Sequence, residues 1–364
     1  MEAPRLEIDL GKIQHNARTL VERLAKRGIS VTGVTKAALG STEIADAMLL
    51  AGVSGLGDSR IENIETMRRS HEFARLSLIR SPMLSQAKRV VASADVSFNT
   101  ELEVIRRLSV EAGKMGRVHA VVLMVELGDL RDGIMPDDLI ATVRETLSLP
   151  NIAFKGLGTN LACRSGVSPD DANMGELSRL SALIEATFDI SIETVSGGNS
   201  ANLEWVFGSE NIGRVNNLRL GESILLGREA LHRNTINGLY TDAITLVAEV
   251  IESKIKPTQP TGELAQNAFG ECPNVVDRGT IAQGILAIGI QDIDLGGLQP
   301  SGRIEILGGS SDHLVVASGF GSLAVGAEVT FQLNYSAMLR AMTSPFVGKS
   351  YKAATNVPAL RRIA

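Results

Sequence analysis

Between residues 30 and 221 apolar and polar positions follow one recurring order. A short β-branched run comes first, then a few polar or glycine residues, then a stretch with apolar positions at helical spacing. Eight such runs stand out: SVTGVTK (30–36), VSGLGDS (53–59), RLSLIRS (75–81), DVSFN (95–99), HAVVLMVEL (119–127), IAFKGLGT (152–159), ISIETVS (190–196) and VNNLRLG (215–221). Helical patterns lie between them, among others STEIADAMLLAG (41–52), NTELEVIRRLSVEAG (99–113), PDDLIATVRETLSL (136–149) and DDANMGELSRLSALIEATF (170–188). Each begins near Ser, Thr, Asn, Asp or Pro, the residues that start helices. Eight strand–helix units predict a closed parallel (β/α)8 barrel of the TIM type rather than an open sheet. DLGKIQHNARTLVERLAKRG (9–28) reads as a helix ahead of the first barrel strand.

After about residue 235 the pattern changes. ITLVAEVIE (244–252), GTIAQGILAIGI (279–290), RIEILGG (303–309), HLVVAS (313–318) and AEVTFQL (327–333) read as strands separated by Gly, Pro, Asp and Asn clusters, with little helix between them. The expected organisation is a barrel over 1–235 followed by a mainly antiparallel β-domain over 236–364. LEIDL (6–10) is a further strand candidate for that second domain.

Composition narrows the chemistry. The 364 residues are 44% hydrophobic and 21% charged, which excludes a disordered or collagen-like chain. A net charge of −5 without a basic tract argues against nucleic acid as a partner. No apolar run reaches the roughly 18–20 residues of a membrane helix, and the start MEAPRLEIDL lacks a signal-peptide pattern, so a cytoplasmic protein is expected. Cys163 and Cys272 are far apart and the five histidines are scattered, so no metal site or disulfide framework is expected. Chemistry falls to Lys, Arg, Asp, Glu, Asn and Ser, or to a cofactor.

A (β/α)8 barrel builds its site at the C-terminal ends of its strands. Three strand ends rise above the polar background. Lys36 closes GVTKAALG among apolar neighbours, a setting that disfavours the ammonium and frees the amine to form a Schiff base; the alternative is a lysine that snorkels to the rim. Lys155 stands several residues before its strand's end and is the weaker candidate. TVSGGNSAN (194–202) places Asn199 and Ser200 after a Gly-Gly turn, either a phosphate cradle or a plain tight turn. Arg219, inside the apolar run NLRLG, needs an acceptor because guanidinium keeps its charge. Lysine, phosphate turn and buried arginine together describe a pocket for pyridoxal 5'-phosphate.

With these residues in hand, the sequence resembles the alanine racemase-like, fold type III pyridoxal-phosphate enzymes, and among them the ornithine racemases and related amino-acid racemases. The resemblance runs over nearly the whole chain. VTKAALG is similar to the strand motif with the cofactor lysine, LGDLRDG to the segment with the substrate-side arginine, VSGGNS to the phosphate segment, and NLRLGESILLGRE to the pyridine-nitrogen motif. GILAIGIQD (284–292) and the ILGGSSDHL stretch also look like family features. The resemblance implies a pyridoxal-phosphate-dependent racemase that interconverts L- and D-amino acids as a homodimer, its β-domain reaching the partner subunit's site. It implies Lys36 as cofactor lysine and one proton-transfer base. Asn199, Ser200, Gly221 and Glu222 would hold the phosphate, mainly through backbone groups, Arg219 the pyridine nitrogen, and Arg131 the substrate carboxylate or the cofactor's O3'.

The sequence also departs from the family pattern. Asn160 stands where alanine racemase has a ring-side histidine. The tyrosine expected between Pro260 and Asp292 as second base is missing, which leaves Asp312 and His313 as candidates and Tyr335, read as a core residue, as a third. The space left by that tyrosine, with Glu271, Asp292 and Asp294 nearby in sequence, points to an ornithine- or lysine-like substrate or a broad range. Rival readings are another fold type III activity (D-amino-acid aldolase or dehydratase), a non-catalytic pyridoxal-phosphate-binding protein, and a cofactor-free aldolase using Lys36.

Overall fold

A computed structural model describes residues 2–272, 276–319 and 321–353. The chain divides into two compact units, one of residues 10–240 and one of residues 2–9 with 241–353. The first strand, β1 (Arg5–Asp9), thus belongs with the later part of the chain although it precedes the barrel.

The first unit is a closed barrel of eight parallel strands: β2 (Ser30–Val34), β3 (Gly55–Asp58), β4 (Leu76–Leu78), β5 (Val96–Asn99), β6 (His119–Met124), β7 (Ile152–Gly158), β8 (Thr194–Gly198) and β9 (Asn217–Leu220). β2 closes the ring against β9, with Thr32 opposite Arg219. All eight strands lie within or beside the apolar runs read from sequence. They are short and buried on both faces, so their runs show little alternation. The helices follow their predicted starts. Asp170 caps Asp171–Phe188 through a reciprocal pair of bonds with Asn173, and Ser41 accepts from Ile44 N–H at the start of Thr42–Leu50.

The barrel interior is asymmetric. Val96, Phe98, Val122 and Met124 form an apolar cluster with Ile79 and Ala120. Across from it runs a polar chain: Asn217 donates to Thr32 Oγ1 at 3.1 Å and accepts from Ser196 Oγ at 2.7 Å, while Arg219 donates to Ser196 Oγ. Arg219 therefore enters a core already provided with acceptors.

The second unit is a mainly antiparallel sheet in the order β12–β15–β10–β11–β14–β13, with β10 (Ile244–Pro257), β11 (Thr280–Leu286), β12 (Leu298–Pro300), β13 (Ile304–Gly309), β14 (Leu314–Ser318) and β15 (Glu328–Leu333). β1 pairs antiparallel with β10 and parallel with β16 (Gly348–Lys352). Tyr335, expected in the core, instead opens the helix Tyr335–Thr343 and is half-buried. Among the described residues no helix is long and apolar enough to cross a membrane.

Candidate active site

The barrel gathers most of the sequence candidates at the C-terminal ends of its strands. β2 stops at Val34, and half-buried Lys36 opens a tight 3-10 turn with Ala37 and Ala38 buried behind it. The turn is fixed from below, where Thr35 Oγ1 donates to Asp58 Oδ2 at 2.8 Å. Asp58, fully buried, also accepts from Arg60 N–H and Asn63 Nδ2. Burial raises its pKa above the usual carboxylate range, against the pull of those bonds.

Arg219 is 4% exposed, and its hydrogen-bond partners are all neutral: Ser196 Oγ, the Thr159 carbonyl at 2.7 Å and Asn160 Oδ1 at 3.4 Å. Its guanidinium stacks over the Phe98 ring at 4.9 Å. Burial holds its pKa down to about 10, still above neutral pH, so the cation stays charged. A buried cation with only neutral partners is an open electrostatic demand at the mouth of the barrel.

Asn199 differs from expectation. Its Nδ2 donates to Asn160 Oδ1 at 3.1 Å and the Leu161 carbonyl at 2.9 Å, and its Oδ1 accepts from Ala201 N–H at 2.7 Å. The side chain is spent tying the segment after β8 to the segment after β7, leaving nothing for an anion. Asn160 completes the bridge by donating to Cys163 Sγ at 2.9 Å. Ser200 Oγ meets Ser223 Oγ at 3.0 Å and accepts from Ser223 N–H, joining the turns after the seventh and eighth barrel strands, where barrels commonly hold phosphate. Gly221 packs so closely on Val34 that a Cβ would lie 3.2 Å from its carbonyl oxygen. Glu222 pairs with Arg233 at 2.7 Å; burial raises its pKa, with Arg233 and Lys36 opposing.

Arg131 is 39% exposed, pairs with Asp132, and lies close enough for its charge to be felt at Arg219. Lys155 stands apart from the site, paired with Glu193 at 2.6 Å. In the second unit, His313 Nδ1 and Asp312 Oδ1 are 2.9 Å apart on the turn between β13 and β14, both side chains exposed. Asp292 is buried and accepts from Ser344 Oγ at 2.6 Å; Asp294 accepts from Gly296 N–H and Glu271 from Asn267 Nδ2. Among the described residues no three His, Cys, Asp or Glu side chains group as a metal site.

Glu126 and Asp129 belong to the polar background of strand ends read from the sequence, where neither carries a role, while Phe98 and the placement of Cys163 are not foreseen there. Position gave a hint for the first two, since Glu126 ends a barrel run and Asp129 follows it. Nothing in the sequence placed the Cys163 thiol beside Asn160.

The family described as "Alanine racemase, N-terminal domain" matches residues 8–229. The chain belongs to that family. It is 36% identical over 350 residues to the ornithine racemase of Acetoanaerobium sticklandii, covering 95% of this chain and 99% of that one. It is likewise 36% identical over 354 residues to the lysine racemase of Thermotoga maritima, covering 97% and 99%. Among solved structures, the alanine racemase from E. faecalis superposes with a TM-score of 0.72 at 18% identity, over 96% of this chain and 98% of that one. The D-threonine aldolase from Filomicrobium marinum does so at 0.73 and 16%, over 94% and 88%. At those identities the two structures share the fold.

Proposed function

We propose that this amino-acid racemase acts on a basic amino acid of the ornithine and lysine type, with pyridoxal phosphate bound between Lys36 and Arg219. The reaction class follows from full-length kinship with two racemases; the substrate class rests on what those two relatives act on. The observation that carries the cofactor assignment is the buried Arg219 cation with neutral partners only, which a ring nitrogen at the barrel mouth would satisfy. The residues present fit the group: a lysine after the first barrel strand, an arginine on the last, and Ser200, Gly221 and Glu222 backbone on the turns where phosphate would sit.

When bound, pyridoxal phosphate supplies the electron withdrawal that makes the substrate's α-proton removable. Lys36 would hold the group and move the proton on one face. Arg219 would face the ring nitrogen and, because it keeps its own proton, would leave that nitrogen unprotonated, which favours return of the proton to the α-carbon. Arg131 receives the substrate carboxylate. We assign the proton on the other face to His313, oriented by Asp312 at Nδ1 with Nε2 left to carry it, supplied by the second copy of a homodimer. The exposed free thiols Cys163 and Cys272 suit a reducing, cytoplasmic setting.

The test is α-proton exchange in deuterated water over a panel of L- and D-amino acids, with spectra before and after borohydride. Exchange of ornithine, lysine or arginine far above alanine, with cofactor fixed by borohydride on Lys36 and absent from Lys36→Ala, is expected. Preference for alanine overturns the substrate class, and a colourless protein that takes up no pyridoxal phosphate overturns the cofactor.

A further inference from the structure

The segments after β6 and β7 are organised by two buried carboxylates that have no part in the reaction proposed above. Glu126, 8% exposed, folds the first around itself: its Oε1 accepts from Gly128 N–H at 2.6 Å and Leu130 N–H at 2.9 Å, its Oε2 from Arg131 N–H at 3.3 Å. Leu130 takes a left-handed backbone, φ 53°, to make this possible. The wrap delivers Asp129, fully buried, to the second segment. There Asp129 Oδ2 accepts from the N–H groups of Cys163 at 3.2 Å and Arg164 at 3.0 Å, and Oδ1 from Ser165 N–H at 3.0 Å. Ser165 Oγ donates back to the Asp129 carbonyl at 2.7 Å, and the Arg164 guanidinium donates to the Leu130 carbonyl. A carboxylate accepting three N–H groups is a strong, directional clamp.

What the clamp joins gives it a function. On one side, two residues from Asp129, is Arg131. On the other, Cys163 receives the Asn160 amide, which fixes Asn160 with its carbonyl oxygen toward Arg219. We propose that Asp129 is a positioning residue that locks the Arg131 segment to the Asn160–Cys163 segment, so that the group facing the substrate carboxylate and the group facing Arg219 are placed together. The inference rests on the role given to Arg131 above.

Asp129→Asn preserves shape but replaces one accepting oxygen with an amide NH2 donor that faces a backbone N–H donor. In holoenzyme carrying Cys272→Ser, this variant is expected to raise the substrate KM about tenfold with a smaller change in kcat, as misplacement of a binding group does. Iodoacetamide should alkylate Cys163 several-fold faster as its segment loosens. Ser165→Ala, which removes one strand of the clamp, should move both readouts in the same direction by about threefold, and serves if Asp129→Asn does not fold. Added to Arg131→Leu, Asp129→Asn should raise KM no further. Full additivity of the two, or a folded Asp129→Asn with unchanged KM and unchanged Cys163 labelling, overturns the coupling. An Arg131→Leu variant with normal KM instead overturns the substrate role of Arg131; the labelling rate alone then upholds or overturns the clamp.

Discussion

Mild acid should loosen the barrel through one residue, His119. Its side chain leaves the start of β6, is 3% exposed, and meets Ser97 Oγ at 2.9 Å, while Ser97 also accepts from Asn99 Nδ2. Burial disfavours the imidazolium and holds the pKa down to about 4 from the usual 6.5, with the Asp95 charge opposing weakly. In the unfolded chain the ring titrates normally. Below about pH 6.5 the unfolded state therefore takes up a proton that the folded state refuses, and stability falls until the ring titrates in place near pH 4. At about 1.4 kcal/mol per pH unit, the difference between the two values corresponds to roughly 3 kcal/mol, a large part of a typical folding free energy. Trp205, the protein's single tryptophan, sits in the barrel unit and reports on that unit's unfolding. Urea titrations followed by its fluorescence at pH 7 and pH 4 would be compared between the wild type and His119→Gln, which keeps a donor for Ser97 but cannot titrate. The wild type should lose about 3 kcal/mol more than the variant over that interval. Equal losses in the two proteins would refute the reasoning.

Arg219→Met should weaken pyridoxal phosphate binding more than tenfold while changing cofactor-free stability by only about 1–2 kcal/mol, because relief of a buried charge with neutral partners offsets the lost bonds. Calorimetry with a titration of the cofactor checks both, and a large stability loss would make the arginine structural instead. Gly198→Ala should cost about 2–4 kcal/mol and cofactor binding. Gly198 has φ 141° and a Cβ there would lie 2.3 Å from Asn202 Oδ1, which holds Asn199 N–H; thermal melts would decide. His313→Gln should suppress proton exchange from one enantiomer while sparing the other, and equal exchange from both hands would remove His313 from the reaction.

Much of the fold was legible because its signals are local. A barrel strand buried on both faces is a short β-branched run, and a helix start is a capping residue ahead of an apolar period, so all eight strands and the main helices follow from spacing alone. Lys36 and Arg219 were legible for a related reason: a charge inside an apolar run is an anomaly wherever the chain goes. The clamp was not, since Asp129 acts on residues more than thirty positions away and the bonds go to their backbone, which carries no sequence signature. Asn199 shows the converse, since residue type suggested an anion ligand whereas the side-chain amide donates to Asn160 and Leu161 from a neighbouring strand end. The pairing of β1 with β16 was likewise hidden, because parallel neighbours need no sequence proximity.

That pairing sets a timetable for synthesis. Arg5–Asp9 leaves the ribosome early, yet both of its strand partners lie beyond residue 243, so it waits unpaired while the whole barrel is translated. At typical elongation rates the wait is on the order of 10–50 s. Leu6 and Ile8 will be buried on one face, and the charges of Arg5, Glu7 and Asp9 alternate with them. Such charges discourage pairing with a stray strand edge. The alternation that seats β1 in its sheet thus also protects the nascent chain, and replacing Arg5 and Glu7 with valines should cost soluble yield during expression before it costs the finished protein its stability.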